Sequence, residues 1–175
     1  MISVEKTQHS YIYTDGSKSE RGVGSKIVIF KNDKITDTYK YRLDVRCSNN
    51  QAEELAILKT LENMQYLDTD ERTVQIITDS RIALESLKNR KNHTHLIQQR
   101  RKKVIELENH KLTIEFNWIK AHAGHQGKEL ADQLAKDAAT SNDIIECYSR
   151  IPKSTVKSEL TFRRLMSTTV DVPHR

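Results

Sequence analysis

Residues 73–80 read Thr-Val-Gln-Ile-Ile-Thr-Asp-Ser, a short and nearly continuous apolar run that stops at a Thr-Asp pair. A run of this length without strict alternation is what a strand covered on both faces carries, as central parallel strands do. It follows a polar break at 68–72 and precedes a helical stretch at about 80–87. A strand buried on both sides needs helices to cover it, which directs the reading to an α/β fold.

Upstream, 11–15 reads as a strand, 16–24 as a loop, and 25–30 as a second strand carrying Ile27, Val28 and Ile29. Asn32-Asp33 is a turn signal, and 35–43 follows as a third strand with Tyr39 and Tyr41 in phase, which predicts an antiparallel meander. The period then changes: 49–67 is rich in Ala, Leu, Glu and Lys without Gly or Pro, and predicts a helix. Downstream come a helix at 94–110, a strand at 112–119, and a helix at 128–139 with Leu130, Ala131, Leu134, Ala135 and Ala138 along one side. The order β-β-β-α-β-α-α-β-α predicts a mixed five-stranded sheet with helices packed on it. Residues 1–142 make one domain, and 143–175, with Pro152 and Pro173, read as a basic C-terminal extension or linker.

A chain of 175 residues supports one domain with a real core, so one active site is expected. The net charge of +5 favours a polyanionic partner. Cys47 and Cys147 stand far apart with no Cys-x-x-Cys, and no leader or long apolar span precedes them. That composition suits a reducing intracellular compartment, nucleus or cytoplasm, and no membrane.

The chemistry lies in four acidic residues: Asp15 in Tyr-Thr-Asp-Gly-Ser, Glu53 in Asn-Asn-Gln-Ala-Glu, Asp79 in Ile-Thr-Asp-Ser and Asp132 in Glu-Leu-Ala-Asp. Asp15 and Asp79 each close an apolar run, where a carboxylate is costly without a compensating cation. Magnesium, a hard cation that prefers oxygen ligands, is the natural compensation. Each residue also has an ordinary alternative: Asp15 as a turn residue, Asp79 as a helix N-cap, Asp132 as a solvated helix position. Glu53 has a rival in Glu54, which projects about 100° away on a helix. Glu53 shares a stripe with Ile57 and Met64, which favours it as the inward residue.

Taken in order, Tyr-Thr-Asp-Gly-Ser at 13–17, Ser-Asn-Asn-Gln-Ala-Glu at 48–53, Ile-Thr-Asp-Ser at 77–80, Trp-Ile-Lys-Ala-His-Ala-Gly-His at 118–125 and Ala-Asp at 131–132 resemble the type 1 ribonuclease H pattern. The likeness spans about residues 10–140. Cys-Ser-Asn-Asn-Gln-Ala-Glu, with the later Tyr-Ser-Arg-Ile-Pro, is similar to the ribonuclease H domain of non-LTR (LINE-type) retrotransposon polyproteins; a cellular ribonuclease HI stays open beside it. The resemblance implies an RNase H-like fold and an endoribonuclease that hydrolyses the RNA strand of RNA/DNA hybrids, in a retroelement removing template RNA after reverse transcription. It implies two magnesium ions, for which manganese can substitute, held by Asp15, Glu53, Asp79 and Asp132 roughly 3.5–4 Å apart. It gives His122 a catalytic role in proton transfer or product departure.

By the same resemblance Gly16, Ser17, Asn49 and Gln51 read the 2′-hydroxyls of the RNA strand, Ser48 and Asn50 hold a DNA-strand phosphate, and Ser80 joins the substrate-binding set. A cap on the following helix is the ordinary alternative for Asn49-Asn50. The implied partners are the hybrid itself and, in a polyprotein, an attached reverse transcriptase domain; the chain is expected to be a monomer. Lys128 departs from the pattern, standing where the family usually has Asn before Glu129. Zinc through His122 and His125 finds no suitably spaced Cys or His pair to complete it. Lys88, Arg90, Lys91, Arg100, Arg101, Lys102 and Lys103 form a basic stretch without an acid, several of which are expected to line the duplex path. Two rivals differ in class: a catalytically impaired hybrid-binding module of the same fold, and a DNA nuclease such as an integrase or resolvase.

Overall fold

Strand β1 (Ser10–Ser19) and strand β2 (Gly22–Lys31) form a long hairpin turning at Glu20 and Arg21, and β3 (Lys34–Leu43) continues the meander. The second turn has positive φ at both Asn32 and Asp33, the backbone that lets a two-residue connection follow the strand twist. Next come α1 (Asn49–Met64), β4 (Thr73–Thr78), α2 (Arg81–Lys88), α3 (His95–Asn109), β5 (Thr113–Trp118) and α4 (Gln126–Thr140). The chain then adds β6 (Glu146–Tyr148) and α5 (Lys153–Thr168). The computed structural model describes residues 10–64, 73–121 and 124–168; the expected polar break at 68–72 lies outside them.

The described strands form one mixed sheet in the order β5-β4-β1-β2-β3-β6. Neighbours within the meander are antiparallel, while β4 runs parallel to β1 and β5, and β6 parallel to β3. The element order matches the sequence expectation through α4, and the fold is the expected α/β, RNase H-like one. Three particulars differ, one being that the stretch read only as an extension or linker carries the 16-residue helix α5. The segment expected as a loop at 16–24 is mostly strand, because its glycines serve packing and not a turn. A sixth strand comes from the extension, too short to show a pattern of its own, and is anchored where the Asp44 amide donates to the Tyr148 carbonyl at 2.8 Å.

Helices cover both faces. On one, Ile57, Leu61 and Met64 of α1 pack with Ile12, Ile27, Ile29, Val74 and Ile76, with Ala83 and Leu107 from α2 and α3 closing the cluster. Each fully buried Ile or Leu there contributes about 1.5–3 kcal/mol. Glu54 on α1 is also buried and meets Arg100 of α3 at 3.7 Å; the Arg100 guanidinium further donates to the Ala83 carbonyl and the Ser86 hydroxyl. On the other face α4 approaches β2 so closely that a Cβ on Gly24 would stand 2.5 Å from the Ala139 nitrogen and 2.8 Å from the Ala135 oxygen. Glycine in β2 and alanine in α4 let the two backbones meet at the C-terminal half of α4, while Gly127 in its first turn lies against the Tyr13 ring of β1.

Two substitutions check this packing. Gly24→Val forces α4 away from the sheet and is expected to destabilise by at least about 1–3 kcal/mol in urea unfolding. Arg100→Met strands the buried Glu54 carboxylate and should cost about 3–5 kcal/mol, whereas the double variant Glu54→Gln/Arg100→Met recovers most of that loss.

Candidate active site

The site forms where β1 outruns its parallel neighbour. Tyr13 of β1 pairs with Ile77 of β4, so Asp15 and Asp79 lie two residues beyond the same pair, at one level. The Thr14 hydroxyl donates to the Ile77 carbonyl at 3.4 Å, tying the strands together just below. Immediately after Asp79 the chain turns: the Ser80 hydroxyl caps α2 by accepting from the Ala83 amide, and the Ser80 amide donates to the Thr78 hydroxyl. The N-cap of α2 is therefore Ser80, leaving the Asp79 side chain for the site. The Asp79 carbonyl accepts from the Trp118 indole at 2.9 Å, and Trp118 in turn lies 4.0 Å beneath the Arg81 guanidinium.

Glu53 enters from α1 because Gly16 lets that helix down onto β1. A Cβ at Gly16 would be 2.5 Å from the Glu53 nitrogen and 2.8 Å from the Ala52 carbonyl carbon. The Gly16 amide also donates to the Glu53 carboxyl. Glu53 is thus the inward residue of the pair, while Glu54 turns to Arg100.

Asp15, Glu53 and Asp79 each place a carboxylate oxygen within 4.8 Å of the others. One oxygen of Asp15 and one of Glu53 are buried without a hydrogen-bond partner. Burial pushes the Glu53 carboxyl up to about 8, Asp79 adds to this, the Gly16 amide opposes it, and Asp132 raises it further. Such a group of hard oxygen donors, two of its buried oxygens without a hydrogen-bond partner, fits a divalent cation in donor type and in charge.

Asp132 stands apart from that group. Its carboxylate pairs with Lys136, one turn further along α4, at 2.7 Å, although its charge still reaches Glu53 and Lys128. His122 lies outside the described residues. Lys128, which the sequence marked only as a departure, lies in the centre: it is 4% exposed, and its ammonium contacts one oxygen of Asp15 and lies 3.3 Å from Asp79. Burial lowers its amine to about 7 and Asp132 pulls the other way; the two carboxylates in contact act in the same sense as Asp132 and favour the charged form. Trp118, which holds the Asp79 carbonyl, and Arg81, which stacks on Trp118, went unassigned in the sequence because only the sheet brings β5 beside β4.

Ser48 and Gln51 form a reciprocal capping box at the start of α1, the Ser48 amide donating to the Gln51 side chain at 2.9 Å and the Gln51 amide to the Ser48 hydroxyl at 3.1 Å. Gln51 also donates to the Arg150 carbonyl of the extension at 2.8 Å. Asn49 and Asn50 are exposed, and Ser17 half-buried. Asn50, Gln51, His93, Tyr148, Arg150 and Lys153 are among the residues lining a cavity of about 630 Å³ beside this helix start. The basic stretch divides. Arg100 is buried against Glu54, Arg101 donates to the Ser86, Leu87, Asn89 and Asn92 carbonyls, and Lys103 pairs with Glu106. Lys88, Arg90, Lys91 and Lys102 remain exposed.

The Glu53 shift has a signed consequence. Its carboxyl binds a proton more tightly folded than unfolded, so the stability this gives is full below its ordinary value of 4.5 and is lost as the pH rises through about 8. In chelator, the thermal midpoint of the wild type is expected to fall more between about pH 5 and about pH 9 than that of Glu53→Gln; equal falls would contradict the assignment.

Residues 7–140 match the RNase H family model. The chain is 30% identical over 165 residues to a ribonuclease H of Idiomarina loihiensis, covering 83% of this chain and 96% of that protein. Among solved structures, the RNase H1 of the archaeon Halobacterium salinarum superposes with a TM-score of 0.57 at 20% identity, over 74% of this chain and 96% of its own. LC11-RNase H1, solved in complex with an RNA/DNA hybrid, gives 0.57 at 18% identity over 74% and 98%. At such identities the structural likeness speaks for the fold, and the family match rests on sequence. This chain belongs to the RNase H family of enzymes.

Proposed function

We propose that the chain is an endoribonuclease that hydrolyses the RNA strand of RNA/DNA hybrids, leaving 3′-hydroxyl and 5′-phosphate ends. One observation carries this: in a member of the RNase H family, Asp15, Glu53 and Asp79 converge, and one buried oxygen each of Asp15 and Glu53 has no hydrogen-bond partner. Two divalent cations, magnesium or manganese, would be held by these three with Asp132, and when bound would supply an activated water and relief of charge on the leaving oxygen. The chain's own part is to fix these oxygens. The β1–β4 register sets Asp15 against Asp79, Gly16 admits Glu53, and Trp118 holds the Asp79 backbone. His122 is assigned proton transfer or help in product departure.

For the substrate, Gly16, Ser17, Asn49 and Gln51 are assigned to 2′-hydroxyls, Ser48 and Asn50 to a DNA-strand phosphate, with Ser80 beside Asp79. The capping box supports this reading by fixing the α1 start, leaving Asn49 and Asn50 exposed. The exposed Lys88, Arg90, Lys91 and Lys102 suit backbone phosphates through counterion release. We assign 1–142 to the ribonuclease domain and 143–175 to an extension, and read the source as a retroelement, where the task is removal of template RNA after reverse transcription. That source rests on the wording of two stretches, 47–53 and 148–152, which also touch in the fold: Cys47 lies against the Tyr148 and Arg150 carbonyls, and Gln51 bonds to Arg150. Of the three proteins matched above, the two with a stated organism come from Idiomarina loihiensis and the archaeon Halobacterium salinarum.

The Lys128 ammonium on Asp15 favours a second reading, a module that binds hybrid without cutting it. Cleavage of a labelled RNA/DNA hybrid in magnesium, beside single-stranded RNA and both homoduplexes, separates the two. Hybrid-only cutting that falls by more than about 100-fold in Asp79→Asn is expected, since even residues behind metal ligands cost 10–100-fold. Tight hybrid binding with no cutting would establish the binding module.

A further inference from the structure

Lys128 is the cation closest to the three carboxylates among the described ion pairs, and it does not sit at the rim. Its backbone is fixed from two sides. The Lys128 amide donates to the His125 carbonyl at 2.9 Å in the first turn of α4. The preceding Gly127 lies flat on Tyr13, where a Cβ would stand 2.5 Å from the ring. With α4 seated on Gly24 as well, the helix start has no room to slide, and the ammonium can leave Asp15 and Asp79 only by rotation of its own stem. A compact ammonium on four rotatable carbons is suited to such movement.

We propose that Lys128 is a tethered counter-cation which occupies the carboxylate centre in place of a divalent ion and has to withdraw before one can enter. This rests on reading Asp15, Glu53 and Asp79 as a metal centre. One ammonium meets one oxygen of Asp15 and approaches Asp79, while the second oxygen of Asp15 and one of Glu53 stay unpartnered. One ammonium beside Asp15 and Asp79 offsets part of the negative charge of the metal-free centre and leaves a remainder that still draws a divalent ion. The two cations compete because both need Asp15 and Asp79, and like charges within a few ångströms repel. An uncharged residue at this position would leave the centre open but strained when empty. The lysine therefore exchanges metal affinity for stability of the metal-free state.

The test is titration calorimetry of the full chain with magnesium chloride, and separately manganese chloride, on wild type, Lys128→Gln, Lys128→Met, Lys128→Arg and Asp79→Asn, with thermal melting in chelator and in saturating magnesium. The expected result is that the two uncharged variants bind magnesium about tenfold more tightly, Lys128→Arg binds no more tightly than wild type, and Asp79→Asn loses binding. In chelator the uncharged variants melt below wild type, and saturating magnesium closes or reverses the gap, as linkage requires when a ligand binds only the native state. The magnesium melting curves also show whether Lys128→Gln and Lys128→Met are folded. Equal or weaker magnesium binding in the uncharged variants, with Asp79→Asn still abolishing it, overturns the role of Lys128 and leaves the metal centre standing. Absence of binding heat from either metal in every variant overturns both.

Discussion

Three carboxylates held together out of water repel one another, and the rest of the structure is arranged to make that tolerable. Asp15 and Glu53 are buried and Asp79 is partly so, with oxygens within 4.8 Å. Desolvation and mutual repulsion both disfavour the charged forms. The raised Glu53 carboxyl is the direct sign of that conflict. The Gly16 amide offsets part of it and the Lys128 ammonium another part. What is left over is an affinity for positive charge, which is the property a phosphodiester hydrolase of this family needs at its centre.

Convergence of this kind depends on backbone proximity on both faces of the sheet. Gly16 lets α1 descend far enough for Glu53 to reach the level of Asp15, and Gly24 lets α4 descend far enough for Lys128 to do so from the other side. Side-chain reach alone would not suffice, since a Cβ at either glycine would strike helix backbone. The large apolar residues supply the driving force for packing, and the glycines set the distances at which it stops. Polar contacts then fix orientation: the Trp118 indole on the Asp79 carbonyl, the Thr14 hydroxyl on Ile77, and the Ser80 cap that turns the chain away.

The same economy of fixed points links the extension to the domain. Short β6 lies beside β3, and the Gln51 side chain serves both the α1 capping box and the Arg150 carbonyl. The start of α1, which bears Asn49 and Asn50 and leads to Glu53, is thereby braced by a segment about a hundred residues away in sequence. Beyond it, α5 presents Leu160, Phe162, Leu165 and Met166 to the surface.

Much was legible in the sequence because it is encoded locally. Hydrophobic period gave the strands of the meander, the buried strand ending at Thr78 and the four helices through α4, and the ordered motifs around Asp15, Glu53 and Asp79 pointed to residues the fold does bring together. The basic stretch from Lys88 to Lys103 was legible only as charge. Whether an arginine faces solvent or a buried glutamate depends on which helix packs beside it, and Arg100 meets Glu54 across such a contact. Gly22 and Gly24 suggested a loop by composition and proved to be strand, since glycine as turn and glycine as close contact look alike in a linear string. The sequence by itself determined the order of the elements from β1 through α4 and the inventory of acids, because these follow from local propensity and periodicity. The tertiary structure alone decided that Lys128 shares the centre with Asp15 and Asp79 while Asp132 turns to Lys136, because those choices are set by the height at which α4 settles on the sheet.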